Sequence, residues 1–114
     1  MKKFTSIDEI LKITDNDKAS AKELISAFIL QLNEQLDEFK TFTLQYNIQE
    51  IINIAHKMKS SLGYFGMADQ RLMAVSIEEI AGKDFEKTKQ LIEKITADSR
   101  FAIEELKETL KNMD

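Results

Sequence analysis

The chain has 114 residues, a formal net charge of −4, three glycines and neither cysteine nor proline, and this length can bury one core without disulfides or structural metals. The missing cysteines exclude thiol chemistry, disulfides and zinc fingers and fit a reducing compartment, while the absence of a basic patch argues against a nucleic-acid partner. Because no segment has the roughly 7–15 apolar residues of a signal-peptide core or the roughly 18 of a membrane span, we expect one soluble, cytoplasmic domain over residues 1–114 without a membrane anchor.

The first half of the chain predicts a short helix and then a long one. Ser6 and Glu9 have the spacing of a capping box, which predicts a helix over about residues 7–13. Ser20 and Glu23 repeat that spacing and open a helix over about residues 21–45. Its apolar residues recur at three- and four-residue steps, as expected for one inward face: Ile25, Phe28, Ile29, Leu32, Leu36 and Phe39.

The next predicted helix has the clearest apolar stripe. Asn47, with Glu50 three residues later, is placed to cap its start, and Gly66 is placed to end it in the left-handed conformation. The inward residues recur at alternating steps of three and four: Ile48, Ile51, Ala55, Met58, Leu62 and Phe65.

Two further helices complete the prediction. Asp69 is expected to cap one that stops at Gly82 and holds Leu72, Met73, Val75, Ile77 and Ile80. Asp84 is expected to cap the last, with Leu91, Ile92, Ile95, Ala102, Leu106 and Leu110 inward. Short connections between amphipathic helices favour antiparallel neighbours. We therefore predict an all-α fold, an antiparallel up-down-up-down four-helix bundle over about residues 18–112 with a short N-terminal extra helix.

His56 is the single histidine of the chain and is predicted to face away from the core. At about 100° per residue, it lies about 130° from the centre of the inward stripe. Ile52, Lys59, Ser60 and Gly63 share its flank, and the two small residues leave the ring approachable. A lysine one turn away opposes protonation of the imidazole and attracts an anion attached to it. These features fit a histidine nucleophile that carries a phosphoryl group, with a surface histidine of no special role as the plain alternative.

The segment AHKMKSSLGYFGM, residues 55–67, resembles the signature of the histidine-containing phosphotransfer (HPt) domains of bacterial multistep phosphorelays. In that signature the phosphorylated histidine corresponds to His56, the lysine three residues later to Lys59 and the late glycine to Gly66. The order of the predicted helices also matches, over about residues 18–112. Ser60 departs from the glycine that many members have, although serine also leaves room for a partner.

The resemblance implies a phosphocarrier without kinase activity, and thus not an enzyme. His56 would take a phosphoryl group from the aspartate of a response-regulator receiver domain, supplied by a hybrid sensor kinase, and pass it to another receiver. Mg²⁺ would sit in the receiver, so no cofactor and no metal is expected in this chain. Ile52, Ser60 and Gly63 are predicted to give access to the partner, with Phe28 or Ile29 as further docking candidates, and a monomer is expected.

Two other functions remain open at this point. The first is a helical interaction scaffold that binds a receiver or another protein through the same flank without carrying phosphate. The second is a dimerisation bundle like the histidine-bearing helices of sensor kinases. That one fits less well, because Lys57 stands where those helices have an acidic residue and the chain has no proline.

Overall fold

The computed structural model describes residues 3–113 and consists of helices joined by short connections. In chain order the five helices are α1 (Asp8–Ile13), α2 (Lys18–Leu44), α3 (Ile48–Tyr64), α4 (Ala68–Ile80) and α5 (Phe85–Asn112). The described part contains no strand, which confirms the predicted all-helical class. Both α2 and α4 pack against α3 and α5, and α1 packs against α2. Within residues 3–113, no helix combines the length and hydrophobicity needed to cross a bilayer.

The core lies between the apolar stripes of α2, α3 and α5, close to the predicted pattern. The prediction is right for α3, where Ile51, Ala55, Met58 and Leu62 are fully buried. In α4 the apolar residues are only partly covered, and Leu72 is 60% exposed. The buried positions of that helix are Gln70, Ala74 and Ile77. α4 carries apolar residues around much of its circumference, so its neighbours decide which of them are covered.

Two of the predicted helix starts are confirmed. The Asn47 side chain accepts a hydrogen bond from the Glu50 backbone N–H at 3.2 Å and caps α3. Asp84 accepts one from the Lys87 backbone N–H at 3.0 Å and caps α5. Each cap satisfies one of the backbone N–H groups that have no partner inside the helix.

The other predicted caps are wrong, although α1 begins within one residue of its predicted start. α2 begins earlier than predicted, at Lys18, because Asp17 has extended backbone and accepts a hydrogen bond from the Ser20 N–H. Ser20 therefore lies in the first turn and is not the cap. α4 follows Met67 with no side-chain cap, so Asp69 already lies within the helix. α1 also has no side-chain N-cap, and the Ser6 hydroxyl accepts only a long hydrogen bond from the Asp8 N–H, at 3.3 Å.

Gly66 ends α3 as predicted, with a positive φ of 72°. Its N–H donates to the Gly63 carbonyl at 3.2 Å, and the Met67 N–H donates to the Leu62 carbonyl at 2.9 Å. These two hydrogen bonds satisfy carbonyl groups at the end of the helix that would otherwise have no hydrogen-bond donor. The left-handed turn sends the chain directly into α4, which packs beside α3.

Residues 4–6, which we call the N-terminal strap, bind across the end of α3 and along α5. The Glu105 carboxylate accepts hydrogen bonds of 2.8–3.0 Å from the Phe4 N–H and from the N–H and hydroxyl of Thr5. The Ser6 N–H donates to the Phe65 carbonyl at 2.9 Å. These bonds hold α1 in place at the end of the bundle where α3 meets α4.

Candidate functional site

His56 lies in the middle of α3 with its side chain 68% exposed. Its chain neighbour Ala55 and the residue two positions later, Met58, are completely buried. The stripe that fills the core therefore turns the imidazole to the outside of the bundle. The outward position predicted from the helical periodicity is confirmed.

A carboxylate from the next helix holds the imidazole. The Nδ1 atom of His56 lies 2.7 Å from Oε1 of Glu78, a residue of α4. The other carboxylate oxygen, Oε2, lies 2.8 Å from Nζ of Lys59. Glu78 thus binds the histidine and the lysine at the same time, and it links α3 to α4 across the surface of the bundle. The Glu78 and Lys59 side chains are only about a quarter exposed, at 24% and 25%.

The contact with Glu78 assigns the tautomer of the ring. An ionised carboxylate only accepts hydrogen bonds, so the ring nitrogen facing it must carry the proton. A neutral imidazole with its proton on Nδ1 has its lone pair on Nε2. In the neutral ring, Nε2 is therefore the nitrogen with a free lone pair, and the ring is mostly in solvent.

Glu78 is ionised at neutral pH. The hydrogen bond from Lys59 lowers the pKa of the Glu78 carboxyl below its ordinary value, and the hydrogen bond from His56 lowers it further. Lys59 was predicted to place its ammonium beside an anion carried by His56. In the structure that ammonium is bound to Glu78.

The remaining predicted site residues differ in their exposure. Ser60 and Gly63 are exposed and line a shallow hollow with Glu9 and Tyr64. Ile52 is half-buried and packs against the core, so only part of its side chain is open to a partner.

The two docking candidates on α2 point mainly inward. Phe28 is wrong as a docking residue, because it is 4% exposed and its ring stacks on that of Phe65 at 4.0 Å between centroids. Ile29 is half-buried against the core. The exposed apolar residues on this part of α2 are Leu24, at 41%, and Leu30, at 63%.

Glu78 is the site residue that the sequence analysis missed. Its only sequence signal is the pair Glu78–Glu79 near the end of a predicted helix, and nothing in the spacing relates that pair to His56. Across residues 3–113, no group of three or more histidine, cysteine, aspartate or glutamate side chains is arranged to hold a metal ion.

Comparison with known proteins identifies the family. The sequence model of the Hpt domain matches residues 23–114, which include α3, α4 and the whole of the site just described. A search of curated proteins and a search of solved structures give no match. The matched region covers most of the chain, and it begins within α2, after α1 and the strap. The chain belongs to the Hpt domain family.

Proposed function

We propose that this chain is a histidine phosphocarrier, in which Nε2 of His56 accepts a phosphoryl group from a receiver-domain aspartate and passes it to another receiver. Membership of the Hpt family supports phosphotransfer on histidine in general. The observation that carries the assignment to this residue is the exposed imidazole whose Nδ1 is held by Glu78. A histidine used only for packing would have neither this exposure nor a buttressing carboxylate.

The transfer step follows from the tautomer. The Nε2 lone pair attacks phosphorus in line, a P–N bond forms, and the bond from phosphorus to the aspartate oxygen breaks to release the carboxylate. The product ring carries the phosphoryl group on Nε2 and keeps its proton on Nδ1, so the ring becomes cationic. Glu78, 2.7 Å from Nδ1, offsets that positive charge. The reverse of this step transfers the group to the second receiver.

Lys59 supplies the cation for the phosphoryl oxygens. Its Nζ is 2.8 Å from one Glu78 oxygen and 3.4 Å from the other, so it is held beside the ring before the group arrives. Phosphoryl transfer depends mainly on positioning and charge neutralisation. We infer that Lys59 moves from Glu78 toward the phosphoryl group, and that Mg²⁺ is supplied by the receiver.

The bundle suits this role because it is a rigid support with an accessible flank. The packing of α2 and α4 against both α3 and α5 supports an antiparallel four-helix arrangement, in which each helix has two neighbours. We further infer that the chain acts as a monomeric, cytoplasmic carrier of phosphate between a hybrid sensor kinase and a response regulator, without catalysing phosphorylation itself.

Transfer from a panel of purified receiver domains, charged with acetyl phosphate in the presence of Mg²⁺, tests this function. We expect wild-type protein to gain acid-labile, alkali-stable label, and His56→Gln to gain none while its circular dichroism is unchanged. Glu79→Gln, which changes the exposed neighbour of Glu78, is the matched control and should be labelled normally. Equal labelling of His56→Gln and wild type would refute the assignment. Receiver binding without any label on the wild type would support the interaction scaffold instead.

A further inference from the structure

Gly63 lies in the last turn of α3 with no conformational reason to be glycine. Its backbone is helical, and Gly66 is the glycine with positive φ among residues 3–113. Glycine costs up to about 1 kcal/mol relative to alanine at helical positions. The position is also on the His56 flank and exposed to solvent. The absence of a Cβ at this position leaves space for the side chain of Arg71.

The side chain of Arg71, from α4, crosses α3 at Gly63. A Cβ atom added to Gly63 would lie 3.5 Å from Cδ and 3.8 Å from Nε of Arg71. A methyl group fits at these distances, but a longer side chain would occupy the place of the arginine stem. Gly63 therefore provides a seat that holds the Arg71 side chain against the outer surface of α3.

This seat places a second cation on the flank that carries the phosphoacceptor. Gly63 follows His56 by seven residues, so it lies about 10 Å further along α3 at almost the same angle around the helix. Arg71 is exposed, and no ion pair within the described part of the chain engages it. Two charged residues near this surface are already paired, Lys59 with Glu78 and Glu9 with Lys12.

We propose that Arg71, seated on Gly63, is a docking residue that binds carboxylates on the receiver domain delivering the phosphoryl group. This inference rests on the proposed function, because a receiver that holds Mg²⁺ beside a phosphorylated aspartate must present several carboxylates around that site. A standard interface covers roughly 800 Å² per partner, which is the area of a disc of about 16 Å radius. An interface centred on His56 would therefore include Gly63, about 10 Å away, and the Arg71 side chain that lies against it. The chain has a net charge of −4 and repels an acidic partner as a whole, which makes a local cation important for encounter.

The test compares the two arginines of the chain. Arg71→Gln and Arg100→Gln change the net charge equally, but Arg100 bonds to Asn33 and Asp37 in the contact between α2 and α5. We expect Arg71→Gln to lower the second-order rate of transfer from a charged receiver about three- to tenfold at low salt, and this loss to shrink as salt screens the charges. Arg100→Gln should transfer at the wild-type rate.

A substitution at Gly63, alone and combined with Arg71→Gln, tests the contact between the two residues. Gly63→Leu removes the space for the arginine stem and should reproduce the salt-dependent loss seen with Arg71→Gln, and the double variant should lose no more than Arg71→Gln alone. Circular dichroism and urea unfolding check that each variant is folded. Wild-type transfer by Gly63→Leu would show that the seat has no role, and equal rates and salt dependence for Arg71→Gln and wild type would overturn the proposal.

Phosphoramidate, a small donor that needs no receiver, separates failure of this inference from failure of the proposed function. We expect it to phosphorylate His56 at the same rate in wild type, Arg71→Gln and Arg100→Gln. If neither phosphoramidate nor any receiver labels His56, the proposed function fails and the docking role fails with it. If His56 is labelled by both donors and Arg71→Gln matches wild type in both reactions, only the docking role is wrong.

Discussion

Replacement of Gly66 by alanine is expected to destabilise the protein for two independent reasons. The φ of 72° is in the left-handed region, which costs an L-residue about 1–2 kcal/mol. An added Cβ would also lie 2.7 Å from both the backbone nitrogen and the Cβ of Ser6, closer than such atoms can approach. The N-terminal strap must therefore move away from the end of α3.

The size of the effect follows from the bonds that this movement breaks. The Ser6 N–H bond to the Phe65 carbonyl, 2.9 Å long, lies at the point of the clash, and its loss costs about 1 kcal/mol. Alanine also restricts the unfolded chain and returns about 0.4–1 kcal/mol. We expect a net loss of about 2 kcal/mol in the free energy of unfolding. For a domain of this size, that loss lowers Tm by roughly 8 °C.

Urea unfolding followed by circular dichroism measures this change, and Gly63→Ala is the matched control. At Gly63 the backbone is helical and a methyl group meets Arg71 only at ordinary contact distance, 3.5 Å. Alanine there should stabilise the protein by up to about 1 kcal/mol. The two variants should thus shift the unfolding midpoint in opposite directions. An unchanged midpoint for Gly66→Ala, or shifts of the same sign, would refute the reasoning about the strap and the left-handed turn.

Four other predictions concern the site and the strap. Glu78→Gln should slow transfer from a receiver about 10- to 100-fold, because the residue that sets the tautomer is changed, and ¹⁵N NMR should show loss of the dominant Nδ1–H form of His56. Folding lowers the pKa of the Glu78 carboxyl below its ordinary value of 4.5. The ionised carboxylate therefore stabilises the folded protein fully above pH 4.5, and this stabilisation disappears as the pH falls through the lower folded pKa. The urea midpoints of wild type and Glu78→Gln should thus converge only at acidic pH. Lys59→Ala should reduce transfer at least about tenfold while changing Tm by less than about 4 °C, and a rate equal to wild type would remove its role. Glu105→Gln should cost about 1 kcal/mol and speed hydrogen exchange of the Phe4 and Thr5 amides, whereas unchanged exchange would show that the carboxylate does not hold the strap.

The sequence was sufficient for the helices because their signal is local. In α3 the inward positions recur with the period of one helix, and Ile51, Met58 and Leu62 are all buried as expected. In α4 the apolar residues define no single inward stripe, and Leu72 is 60% exposed while the smaller Ala74 is buried. That choice depends on where α3 and α5 lie, and no single-helix pattern contains this information.

The helix starts show a second limit of local reasoning. Asp17 and Ser20 both belong to the residue types that favour N-caps, and they lie three positions apart. Asp17 is the cap because its backbone is extended and its carboxylate reaches the Ser20 N–H. Sequence identifies the candidates, but the backbone conformation at each position selects one of them.

In the candidate site, contacts within one helix could be predicted from the sequence, and contacts between helices could not. His56 and Lys59 lie on one helix, so their proximity could be worked out from their spacing. The Glu78 and Arg71 contacts depend on the register between α3 and α4, which is set by packing around the turn at Gly66. For this reason the sequence indicated His56 as the candidate side chain, but not which nitrogen of its ring is held by Glu78.

For the phosphocarrier proposed above, the contact with Glu78 also accounts for transfer in both directions. The charges of Lys59 and Glu78 are opposite and cancel, so a site whose imidazole is neutral has no net charge. With a phosphoryl group on Nε2, as proposed, the ring is cationic and the group adds a charge of about −1.5 to −2. The net charge of the site then changes by only about one unit, so neither state demands a rearrangement of the helices. A carrier whose two states differ little in electrostatic free energy can give the group away as readily as it accepts it.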